Sequence, residues 1–132
     1  DESHVQEMRD LYEKKGEVLM DALSSAGMEV KKPAATFYIW QKVPDGMTDV
    51  EFAKKLLDPE VGIVVTPGSL ISDECEVSTG GADDGVNDGE NSMCGVGKIN
   101  PGAGYVRFAL MPTMERVKEA AEKIKECFKH LK

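Results

Sequence analysis

No run of eighteen apolar residues occurs in the 132-residue sequence, so no membrane-spanning helix is expected. No basic, apolar leader with a small-residue cleavage site precedes the first helical pattern, so no secretory signal is expected either. Cysteine is sparse. Cys75, Cys94 and Cys127 are odd in number and share no C-x-x-C spacing, which disfavours a disulfide framework and fits a reducing, cytoplasmic setting. Histidine is sparser: His4 and His130 stand at opposite ends, each without a ligand pair beside it. No metal site is expected, and both read as solvated helix-face residues. Basic charge is also scarce in one stretch. Residues 69–100 hold seven carboxylates against Lys98, a net of −6, and the rest of the chain carries only −2 of the formal −8. The acidity belongs to that segment, and it argues against a nucleic-acid partner.

What is present fits one globular domain over residues 1–132. The first residue is Asp1 and not methionine, which fits a piece of something longer. Val5, Met8, Tyr12, Leu19, Ala22, Leu23 and Ala26 recur at helical spacing, with Gly27 as the stop. Thr36 to Val43 is dense in strand formers, and Pro44-Asp45-Gly46 predicts a turn. Thr48 with Glu51 three places on predicts a capping box, followed by a helix with Phe52, Ala53, Leu56 and Leu57 on its apolar side. Asp58-Pro59 should end it. Val61 to Thr66 reads as a short strand closed by Pro67-Gly68, and Gly104 to Leu110 as another. Val117, Ala120, Ile124, Cys127 and Leu131 step by three and four, the stripe of a last helix. This order predicts an α+β fold in which a small, mostly antiparallel sheet is covered by helices.

Between the last two strands lies an acidic, glycine-rich stretch, with Asp83, Asp84, Asp88 and Glu90 threaded on glycines. As a calcium loop it fails on chemistry. A start at Asp84 gives Asp88 at the fifth position and Gly89 at the sixth, but Val86 at the third and Gly95 at the twelfth. The bidentate acid is missing. A solvated surface loop is expected instead, with a lid or partner-contact role left open.

One charge is out of place. In Tyr105-Val-Arg-Phe-Ala-Leu110, alternation sets Val106, Phe108 and Leu110 on one face and Tyr105, Arg107 and Ala109 on the other. Arginine offers a rigid planar fork that matches a carboxylate in a bidentate pair, and Ala109 leaves room beside it. Spacing alone leaves two readings open: a clamp for a ligand carboxylate, or a sheet-surface arginine paired with a neighbouring acid.

Several phrases occur together and in order: Pro33-Ala-Ala-Thr-Phe-Tyr-Ile-Trp40, Val43-Pro-Asp-Gly46, Glu51-Phe52-Ala53 with Leu56-Leu57, Val65-Thr-Pro-Gly68, and Gly104-Tyr-Val-Arg-Phe-Ala-Leu110. From about Met8 to Leu131 the chain resembles the C-terminal small domain of class I/II, fold-type I aminotransferases. The Ala-Thr-Phe-Tyr-x-Trp phrase and the Asn100-Pro-Gly-Ala-Gly run look most like the LL-diaminopimelate and N-succinyl-diaminopimelate enzymes. The resemblance implies that Arg107 binds the substrate α-carboxylate and that Pro67 and Gly68 shape the cleft. It further implies a pyridoxal phosphate-dependent enzyme that moves an amino group between an amino acid, diaminopimelate-related ones being favoured, and a 2-oxo acid. A preceding large domain and a homodimeric full-length protein are implied with it. Departures are clear. No serine is followed three places later by lysine, and no glycine-rich phosphate cradle is present, so this chain alone should hold no cofactor and be inactive. Relatives connect the Pro-Gly turn to the arginine strand more briefly, so residues 74 to about 96 read as an insertion. The alternative from another class is a free-standing α+β binding module whose acidic loop captures a cation or basic partner.

Overall fold

In the computed structural model, residues 2–78 and 96–129 are described. The acidic run from 83 to 90, the rejected calcium loop, Cys94, His130 and Leu131 lie outside the described residues. The chain forms helix α1 (Glu2–Ser25), strand β1 (Tyr38–Lys42), helix α2 (Asp49–Leu57) and the two-residue strand β2 (Thr66–Pro67). A short 3-10 turn (Gly68–Leu70), strands β3 (Cys75–Ser78), β4 (Val96–Ile99) and β5 (Tyr105–Ala109), and helix α3 (Met114–Cys127) follow. The class is α+β, as the element pattern predicts. β5 is central in an antiparallel sheet of order β1-β5-β2, and β3 and β4 form a separate antiparallel pair.

Local chemistry explains the element ends. α1 stops where Gly27 takes φ 87°; the Gly27 N–H donates to the Ser24 carbonyl at 2.9 Å and the Met28 N–H to the Leu23 carbonyl at 3.1 Å. This paired arrangement satisfies carbonyls that the helix end leaves free. At α2 the expected capping box is present: the Glu51 N–H donates to the Thr48 hydroxyl at 3.2 Å, and the Thr48 N–H donates to the Glu51 carboxylate at 2.9 Å. Past the two ends of the β1–β5 ladder, the Val43 N–H donates to the Gly104 carbonyl and the Leu110 N–H to the Phe37 carbonyl.

One core unites the helices and one face of the sheet. Leu19, Ala22 and Leu23 of α1, Ile39 of β1, Phe52 and Leu56 of α2, Val106 and Phe108 of β5, and Val117, Ala121 and Ile124 of α3 are all buried in it. The rings of Phe52 and Phe128 stack at 5.3 Å.

Three details differ from the sequence expectation. The strand expected from Val61 to Thr66 shrinks to Thr66–Pro67, because the backbone before it still bonds to the end of α2. The Asp58 carbonyl accepts from the Val61 and Gly62 N–H groups, and the Leu56 carbonyl accepts from the Ile63 N–H. The stripe of α3 is rotated: Val117, Ala121, Ile124 and Phe128 are buried, and Ala120 and Cys127 only half-buried. Phe128 is the larger apolar group, so the helix turns to bury it. The ends of the expected surface loop are also not irregular, since Cys75–Ser78 pairs with Val96–Ile99.

Candidate functional site

The sheet has two unlike faces. Ile39, Val106 and Phe108 point into the core, whereas Tyr38, Trp40, Tyr105, Arg107 and Ala109 lie on the opposite, open face. Alternation of side chains along paired strands produces this division directly. Trp40 keeps 47% of its surface exposed and Tyr105 keeps 39%.

Arg107 sits at the middle of this face, on the central strand. Its register partners are Trp40 on β1 and Thr66 on β2. It is half-buried, and its guanidinium carbon lies 4.4 Å from the centroid of the Tyr38 ring. Among the described residues, no carboxylate lies within 4.0 Å of it: the ion pairs are Lys32–Glu13, Lys32–Glu17, Lys42–Asp45, Lys123–Glu119 and Lys125–Asp21. The sheet-surface ion pair left open by the sequence has no described acid to form it. What remains is a fork of N–H donors beside an aromatic wall.

On the edge strand Thr66, opposite Arg107, shares this face, whereas Pro67 takes the side that carries Val106 and Gly68 follows it. Pro67 pairs with Val106, and Gly68 is buried against the backbone of Gly102 and Tyr105. A Cβ on either Gly68 or Gly102 would collide with the other's carbonyl, so both positions require glycine for close approach.

The sequence reading missed the groups that lock this contact. The Asn100 amide donates to the Ser69 and Ser72 carbonyls, both at 3.0 Å, and its Oδ1 accepts from the Gly102 N–H at 2.9 Å. The Ser72 hydroxyl lies between the Gly68 carbonyl at 2.8 Å and Asn100 Oδ1, and accepts from the Gly102 N–H at 3.1 Å. These bonds draw together the two ends of the 73–99 excursion. The only available signal was Asn100 in a Pro-Gly context, which predicts a turn but not its distant partners.

Asp49 adds a second tie. It is buried at the first position of α2, and its Oδ2 accepts from the Ser69 N–H at 2.8 Å. Burial pushes its carboxyl up. Hydrogen bonds from Ser69 and from the backbone N–H groups of Asp49 and Val50 outweigh that and hold it below the ordinary value of 3.8.

The described residues do not fit pyridoxal phosphate. Among the described residues the one buried lysine, Lys15, directs its ammonium to the Tyr12 ring at 5.0 Å, and Gly68 and Gly102 pack against each other's carbonyls, which leaves no room between them for a phosphate. No group of three or more His, Cys, Asp or Glu side chains among the described residues could hold a metal, and His4 is exposed on α1. No described helix is long and apolar enough to cross a membrane.

The fold, with its arginine on the central strand, can be set beside known proteins. The model of the family "Aminotransferase class I and II" matches residues 1–75. The LL-diaminopimelate aminotransferase of Aquifex aeolicus is 36% identical over 124 residues, covering 94% of this chain and 25% of that protein. The LL-diaminopimelate aminotransferase of Halothermothrix orenii gives the same identity and coverage. An aminotransferase structure from Neisseria meningitidis superposes with a TM-score of 0.69 at 36% identity, over 97% of this chain and 26% of the other. The chain belongs to the class I and II aminotransferase family. It spans about a quarter of the length of the curated relatives it matches.

Proposed function

We propose that residues 1–132 are the C-terminal small domain of a pyridoxal phosphate-dependent aminotransferase, in which Arg107 grips the α-carboxylate of the substrate. The full-length protein would exchange an amino group between an amino acid and a 2-oxo acid. Diaminopimelate-related substrates are favoured by the names of its relatives. The observation that carries this reading is a guanidinium on the central strand with no described acid within 4.0 Å, on an open face rimmed by Tyr38, Trp40 and Tyr105.

Pyridoxal phosphate supplies the electron sink for such chemistry, and it would be held by the remainder of the polypeptide. This chain's share is binding and orientation. A planar fork gripping both carboxylate oxygens fixes the substrate in position and rotation, which lowers the entropic cost of reaching reactive geometry. Gly68, bonded to Ser72 and packed on Gly102, would shape the adjoining wall together with the backbone of Pro67. A homodimeric full-length protein is part of the same reading, by family resemblance.

The test is kinetic. In the full-length protein with pyridoxal phosphate, Arg107→Ala should lower kcat/KM for the amino acid by a factor of hundreds or more, since truncating one side of a desolvated charge pair costs roughly 3–5 kcal/mol. Kinetics unchanged by Arg107→Ala would remove this residue from the site.

A further inference from the structure

The register sets Tyr38 opposite Ala109 and Trp40 opposite Arg107. Ala109 has no side chain beyond Cβ, so the space above it is free for a neighbour. Arg107 uses that space diagonally and reaches the Tyr38 ring at 4.4 Å. Diagonal cross-strand neighbours are within reach of long and aromatic side chains, so the contact follows from the pairing.

Tyr38 is itself supported. Its ring meets Phe37 at 4.5 Å, Phe37 meets Tyr12 of α1 at 6.0 Å, and the Lys15 ammonium lies 5.0 Å from the Tyr12 ring. A row of three rings thus runs from the first helix to the arginine, with a cation at each end. The electron-rich ring face attracts the guanidinium and leaves the N–H fork available for a second partner.

We infer that Tyr38 is a positioning residue for Arg107: its ring face holds the guanidinium, and Ala109 leaves the room for it to do so. The kinetic half of this inference rests on the carboxylate reading of Arg107; the contact itself does not. The ring acts and the hydroxyl does not, which separates this role from a hydrogen-bonding one.

Two measurements decide it. In NMR spectra of the 132-residue chain, the Arg107 side-chain resonances should be displaced upfield in the native protein and in Tyr38→Phe, and return to ordinary positions in Tyr38→Leu. In the full-length protein, Tyr38→Leu should raise KM for the amino acid about tenfold with kcat held within about twofold, the signature of lost uniform binding. Tyr38→Phe should stay within about twofold of native on both. An unchanged KM in Tyr38→Leu, or equal damage from Tyr38→Phe, overturns the inference. If Arg107→Ala is silent while the Arg107 resonances still follow Tyr38, the carboxylate reading falls and the contact is packing alone, which also overturns the positioning role.

Discussion

Asp49 lies at the first position of α2, with its carboxylate buried and bonded to the Ser69 N–H. A negative charge there also meets the positive end of the helix dipole. Because the folded state holds this carboxyl below its ordinary value, the ionised form adds stability at pH above 3.8. That contribution is lost as pH falls from 3.8 through the lower folded value. Asp49→Asn should therefore cost about 1–2 kcal/mol at pH 7, and the gap to the native protein should close in acid. Urea melts of both proteins between pH 7 and pH 2 check it. At this scale the sequence was only partly legible. Arg107 stood out because a charge interrupts an apolar strand, whereas Asp49 reads as one acid among many until Ser69 is seen beside it.

At the scale of elements, capping chemistry was the most legible feature, because Thr48 and Glu51 carry their own geometry within four residues. Periodicity located α3 but not its rotation, since Ala120 and Ala121 are equivalent until Phe128 finds its place against Phe52. The β3–β4 pair was missed because glycine and acid dominate the composition between its strands. Two glycines give opposite predictions. At Gly16, inside α1, an added Cβ would meet Leu110 at an ordinary 3.6 Å. Gly16→Ala should stabilise by roughly 0.5–1 kcal/mol, a rise in Tm of about 2–5 °C. At Gly102 the Cβ would meet the Gly68 carbonyl and the Ser72 hydroxyl, so Gly102→Ala should destabilise by roughly 2–3 kcal/mol. Thermal unfolding of the two variants compares them directly.

Over the whole molecule, the fold class was readable from element order, and the family from phrases spread along the chain. The distribution of exposed apolar surface was not, because it depends on which faces the helices leave uncovered. Trp40, Tyr105 and Met111 are exposed, and a groove of about 700 Å³ runs between α1 and residues 32–37, with Val5, Met8, Tyr12 and Phe37 in its walls. Under the proposed function these surfaces receive the rest of the polypeptide. The 132-residue chain should then bind a hydrophobic dye such as ANS, with the fluorescence falling in the full-length protein. It should also show no transamination when supplied with pyridoxal phosphate and substrates. Turnover by the chain alone would contradict the division of labour proposed for it.

The Asn100–Ser72 staple closes a ring at the base of the β3–β4 arm, so the arginine strand that follows is tethered outside the arm. Under the proposed function, a peptide of different length grafted between Ser78 and Val96 should leave substrate binding by the full-length protein unaltered, because the staple fixes the arginine strand from outside the graft.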